Sequence, residues 1–274
     1  MIPEERYREL DLLRGLAVIS MILFHLCFDL AFFYGWNIPV REGAFILWAR
    51  GTAMTFLMVM GICFVISWER TLRNAGAETP SLLHDDSNAL KNMIVKKMDR
   101  ASLRSYQKYF YRGLTIFMGG MIISLATYLI APGAYVKFGI LHLIGVSALL
   151  QPLFVRFRSA NILIGAFVSI IGLKIAAMTT ENPLLFPLGI LYPGFFSLDY
   201  YPLFPWFGFV LTGMGLGYLL YIPERNSLLA EIGSFPAPRW LLLDGQRALL
   251  LYFVHQPVLL LLLSLFFGSP LQNL

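Results

Sequence analysis

The chain has 274 residues, 58% of them hydrophobic and only 14% charged, where a water-soluble domain carries roughly 25% charged residues. That composition excludes water as the main solvent and points to a chain that lives in a bilayer. The net charge of +5 requires no nucleic acid, because an excess of Lys and Arg is what membrane orientation demands.

Crossing a hydrocarbon core of about 30 Å takes about 20 mostly apolar helical residues. Runs of about that length cover 12–34, 44–67, 112–131, 138–155, 160–178, 202–222 and 245–267. The expected fold is therefore all-α, a polytopic membrane bundle of about seven transmembrane helices, with no linker to divide 1–274 into separate domains.

The first run is too long for a signal-peptide core, is interrupted by His25 and Asp29, and is followed by no small-residue cleavage site, so it is expected to stay as a helix. At about 100° per residue, Asp11, Arg14, His25 and Asp29 fall on one face. An ionisable side chain at membrane depth costs several kcal/mol by insertion scales, so that face is expected to line a protein interior or a water-filled cavity. Asp11 and Arg14, three apart at the helix start, read as an interfacial ion pair. His25 and Asp29, four apart and deep in the run, read as a general base with its orienting carboxylate. The structural alternative is a buried His–Asp bond that stitches two helices.

The second run holds Arg50, a further cation expected to be buried, suited to an anionic or hydroxyl-rich group or to pairing with Asp29. Cys27 and Cys63 lie inside the first two runs and read as small apolar packing residues, with no metal or disulfide pattern. The polar stretch 68–111 contains His84, expected to be solvated, and a second half in which Met93, Ile94, Met98 and Leu103 alternate with Lys96, Lys97, Arg100 and Arg104. That spacing predicts an amphipathic interfacial helix, a basic collar on acidic headgroups or a docking site for an anionic cofactor. The fourth run carries His142, the fifth Lys174, which is expected to snorkel, and the seventh His255. Between the fifth and sixth, 184–196 is too broken by Pro and Gly for a full span and is expected to be re-entrant or interfacial. His142 and His255 are further cavity candidates that could converge on His25.

With seven crossings, one side of the membrane receives all but four of the 21 basic residues, those four being Arg41, Arg50, Lys137 and Lys174. That side is expected to be cytoplasmic, which places the N-terminus inside and the C-terminus outside an inner membrane.

At this level of reading, RELDLLRGLAVISMILFHLCFDL (8–30), FGILHLIGVSALL (138–150), PLFPWFGFVLTGMGLGY (202–218) and ALLLYFVHQPVL (248–259) resemble the prokaryotic relatives of the heparan-alpha-glucosaminide N-acetyltransferase catalytic domain. Arg14 followed after ten residues by His25 also resembles the arginine-to-histidine motif of the wider membrane acyltransferase superfamily. The resemblance implies an acetyl-CoA or other acyl-CoA co-substrate on the cytoplasmic side, a glycan or glycolipid acceptor on the far side, and no metal. It implies His25 as base, Asp29 as its orienting group and Arg50 or Arg14 as charge stabiliser. Arg14 stands roughly 16 Å from His25 by helical rise, so it suits the cofactor's phosphates at the cytoplasmic mouth, with Asp11, Arg8 or the 96–104 cluster. The family pattern puts its histidine after the first span, and 32–40 contains none; either His25 takes the role alone or the chemistry has changed. Other expected partners are membrane lipids and, as an option, a second copy in a homodimer. The competing functional readings are a proton-coupled transporter or flippase using the buried His and Asp, b-type haem ligation by two of the three span histidines, and a purely structural membrane subunit.

Overall fold

A computed structural model describes residues 7–77, 88–222, 238, 241 and 247–268, with the side chains of 75–77 and 88–98 left aside. Among the described residues seven α-helices follow one another: α1 (Arg8–Tyr34), α2 (Gly43–Ala77), α3 (Asn88–Ile130), α4 (Ile140–Phe154), α5 (Asn161–Ile175), α6 (Leu203–Leu220) and α7 (Ala248–Phe267). Six helical stretches among the described residues are long and apolar enough to cross a membrane, Ile140–Ile175 being taken as one. The protein is an all-α polytopic membrane bundle.

The seven helices match the seven apolar runs, and local chemistry explains most of their ends. Gly35, left-handed at φ 69°, closes α1 while the Trp36 N–H returns to the Leu30 carbonyl at 3.1 Å, the pattern that satisfies orphan carbonyls at a helix end. Between α4 and α5 lies a 3-10 turn (Val155–Ala160), where Arg158 takes φ 45° and ψ −127°, outside helical geometry. Asn161 steadies this break by donating its Nδ2 to the carbonyls of Phe154 and Arg158, each at 2.9 Å. The Pro- and Gly-broken stretch 184–196 begins in a 3-10 turn (Pro183–Leu188).

The expected polar loop 68–111 is largely helical instead. The second helix runs on to Ala77 and the third starts at Asn88, so the predicted interfacial helix is the first half of a 43-residue helix that continues into the third span. His84 lies outside the described residues.

The chain divides into two compact units, 1–59 with 224–274 and 60–223, and the first of the two boundaries falls inside α2. In the first unit α1 and α2 form an antiparallel hairpin, held by Ser20 Oγ at 2.7 Å from Thr52 Oγ1 and by Trp48 Nε1 donating to Ser20 Oγ at 2.6 Å. Helix α7 packs beside α1 in the same direction. His255 meets His25, Gln256 meets Asp29, and Phe267 meets Tyr34 one end further on.

In the second unit α3 packs antiparallel to α4, and α5 to α6. The α5–α6 seam depends on missing side chains. A Cβ on Gly165 would stand 2.5 Å from the Gly208 carbonyl oxygen, and one on Gly172 would stand 2.5 Å from Pro205 Cα. Lipid gives no hydrophobic force between spans, so such close backbone approach is how these helices gain contact. Leu143, Val210, Leu211 and Met214 are fully buried within this unit. Its loops close over the start of α4: the Asp199 carboxylate accepts the Ile140 N–H at 2.9 Å and the Tyr201 N–H returns to the Phe138 carbonyl at 2.9 Å.

Candidate functional site

The first and last helices build the site. His25 makes one hydrogen bond through Nδ1, to the Met21 carbonyl four residues back at 2.9 Å. His255 does the same on α7, with Nδ1 2.7 Å from the Tyr252 carbonyl and 3.2 Å from that of Leu251. A carbonyl can only accept, so each ring carries its proton on Nδ1 and turns a bare Nε2 lone pair outward. The two rings touch edge to face, with centroids 4.8 Å apart. The Nε2 of His255 is buried and has no partner.

One turn further along, Asp29 is fully buried. Its Oδ1 accepts from Gln256 Nε2 at 2.6 Å, while Asp29 Oδ2 and Gln256 Oε1 are both buried without a partner. A buried acceptor left unmade costs about 1–3 kcal/mol, so three such atoms in one neighbourhood are unusual. Pro257 follows at once within α7; lacking an N–H, it removes a helical hydrogen bond and loosens the backbone beside His255 and Gln256.

The expected arrangement differs in its pairings. His25 does not use Asp29 as its orienting group: the imidazole is oriented by its own helix through Met21, and the carboxylate is held from α7. Local geometry decides this, because the carbonyl four residues back lies within reach of Nδ1 before any side chain has to be placed. Arg50 is not the buried cation expected; it is exposed on α2, and the hydrogen bond that Asp29 accepts comes from Gln256. Lys174 is exposed as well.

His255 joins His25, whereas His142 belongs to the other unit and uses both of its nitrogens there. Its Nδ1 accepts the Gly139 N–H at 3.2 Å, which leaves the proton on Nε2 to face Ser124 Oγ at 3.4 Å. Phe117 and Phe138 pack on its ring. At the start of α1, Arg14 and Asp11 form the expected ion pair at 3.0 Å, and Arg8 is exposed on the first turn. Among the described residues no group of three or more His, Cys, Asp or Glu could hold a metal ion.

Sequence reasoning passes over Gln256. An amide carries no charge to flag it at membrane depth, and the available signal was its position between a span histidine and a helix-loosening proline.

The profile of the family described as heparan-alpha-glucosaminide N-acetyltransferase, catalytic, matches residues 6–257. The chain belongs to this family. The match covers the two helix segments that bring His25, Asp29, His255 and Gln256 together, and the heparan-alpha-glucosaminide N-acetyltransferase catalytic family carries transferase chemistry with it. No curated protein and no solved structure matches the chain.

Proposed function

We propose that the protein is a membrane acyltransferase that moves an acyl group, acetyl in the simplest case, from cytoplasmic acyl-CoA to a hydroxyl or amine of an extracytoplasmic glycan or glycolipid. The observation that carries this reading is the bare Nε2 of His25, held ready by Met21 and bordered by a second bare Nε2 on His255. Attack on a thioester needs the acceptor to lose a proton as its oxygen or nitrogen bonds to the carbonyl carbon, and an imidazole Nε2 within reach can take it. The imidazolium so formed can return that proton to the departing CoA thiolate, so base and acid are one group and no net proton is consumed. Within a membrane span, a neutral imidazole avoids the desolvation penalty of a resident charge.

Arg14, oriented by Asp11 and accompanied by Arg8, suits the phosphates of the CoA at the cytoplasmic end of α1. Arg50, being exposed, is available to an arriving anionic group. The family match supports transferase chemistry, while the donor, the acceptor and the N-inside, C-outside orientation belong to this proposal.

The test is acetyl transfer from radiolabelled acetyl-CoA by the purified protein in nanodiscs. Transfer by the wild type is expected to fall by about 10²–10⁴-fold in His25→Ala, the usual contribution of a positioned base, with unchanged elution and melting. Full transfer by a folded His25→Ala protein would remove the base from the scheme.

A further inference from the structure

We infer that Asp29 and Gln256 form the recognition pair for the acceptor, taking two O–H or N–H donors of a vicinal diol or amino alcohol beside the group that reacts. The inference rests on the transferase reading above. It starts from what the four side chains leave unused. The bond from Gln256 Nε2 to Asp29 Oδ1 uses one of the two N–H groups of that amide, and Asp29 Oδ2, Gln256 Oε1 and His255 Nε2 are all buried and all without a partner. Each of the three accepts; none donates. Asp29 is fully buried and His255 nearly so, so bulk water does not serve them. A ligand that completes this neighbourhood must bring several hydrogen donors and no negative charge of its own.

A small polyol or hexosamine brings such donors and no negative charge. Asp29 stands one turn from His25 on α1, and Gln256 is the neighbour of His255 on α7, so the pair lies next to the imidazoles along both helices. A bond that only stitched the helices would be served as well by two neutral side chains; a carboxylate with a bare second oxygen is an expensive way to make one contact. At the far ends of the same two helices, Tyr34 and Trp36 pack on Phe267 with centroids 5.5 and 5.8 Å apart. Trp36 is about half exposed, which offers ring surface to the apolar face of a sugar and a fluorescent reporter. A site built to hydrogen-bond substrate hydroxyls or amines rejects analogues lacking them, because its own polar groups are then left unpaired.

The experiment measures binding and transfer separately, on the full-length protein in nanodiscs. Glucosamine, methyl glucoside and glucuronate are titrated against tryptophan fluorescence, with Gln256→Leu and Asp29→Asn beside the wild type. Glucosamine or methyl glucoside is expected to bind the wild type, glucuronate to bind at least about tenfold more weakly, and each substitution to weaken binding by about tenfold or more. Preference for glucosamine identifies an amine as the recognised donor, and equal binding of the glucoside identifies a diol. Failure of all three to bind, or equal binding by wild type and both variants, overturns the inference, as does a lowered melting temperature with unchanged affinity, which would mark the pair as a stitch. If the wild type binds sugar yet transfers no acetyl group, the transferase reading fails and the recognition pair stands. If transfer proceeds and the acceptor KM ignores both substitutions, the pair fails and the transferase reading stands.

Discussion

His25 and His255 present the same face of the imidazole because each gives its Nδ1 proton to a carbonyl of its own helix. His142 shows the opposite tautomer, since a backbone N–H occupies its Nδ1, and with both nitrogens engaged it serves as a fixture at the start of α4. Replacing it strands the Gly139 N–H, so His142→Ala is expected to lower stability by about 1–3 kcal/mol, read as a fall in melting temperature with unchanged affinity for acetyl-CoA. Asp199 gives a pH handle outside the spans. Burial pushes its carboxyl up from 3.8 to about 6, partly opposed by the hydrogen bond from Ile140. A raised acid binds its proton more tightly folded than unfolded, so its effect is to make stability fall as pH rises from about 4 through about 6 and level off above. Melting curves between pH 4 and 8 are expected to show that slope in the wild type and to lose it in Asp199→Asn, whose amide oxygen still accepts from Ile140. Charge at membrane depth marked Asp29, which is buried, and His25, which meets His255, but it misplaced Arg50, which is exposed. The partners of Asp29 and His25 were not legible in the sequence, because a helix wheel relates Asp29 to His25 but says nothing of a glutamine 227 residues away, and cannot tell which face of α2 leaves Arg50 exposed.

At the scale of the element, hydropathy located the seven helices named above, since lipid imposes a length that the sequence must meet. It read the stretch after the second span less well. Polar composition looks like a loop, yet backbone groups continue to pair along a helix axis whether the side chains face water or lipid, and 68–111 stays mostly helical on both sides of 78–87. The α5–α6 seam was invisible to periodicity because glycine contributes no apolar signal. Filling it is expected to be destructive: Gly208→Leu, where a Cβ already meets the Gly165 carbonyl oxygen at 2.5 Å, should destabilise by about 1–3 kcal/mol or more through overpacking. Thermal unfolding in detergent reads this, and a neutral outcome would mean the seam can open without penalty.

For the whole molecule, the direction of α7 carries topological information. Two spans that run the same way require an odd number of crossings counted from one to the other, which holds from α1 to α7 when α4 and α5 each cross and the break at Arg158 turns the chain back. A single crossing over Ile140–Ile175 would leave α7 antiparallel to α1. Reporters placed just before α1 and just after α7 are therefore expected on opposite sides of the membrane, the first of them inside on the proposed orientation by Lys and Arg; both reporters on one side would contradict the parallel pair.

The pairing of α1 with α7 also bears on how the protein comes into being. Translation delivers His25 and Asp29 before His255 and Gln256, so α1 waits without the amide that Asp29 accepts from until α7 is made. A chain ending before Ala248 is expected to leave Asp29 without the Gln256 amide and His25 without the His255 ring. On the transferase reading, a chain that lacks α7 is expected to be inactive, because His255 and Gln256 reach His25 and Asp29 from that helix.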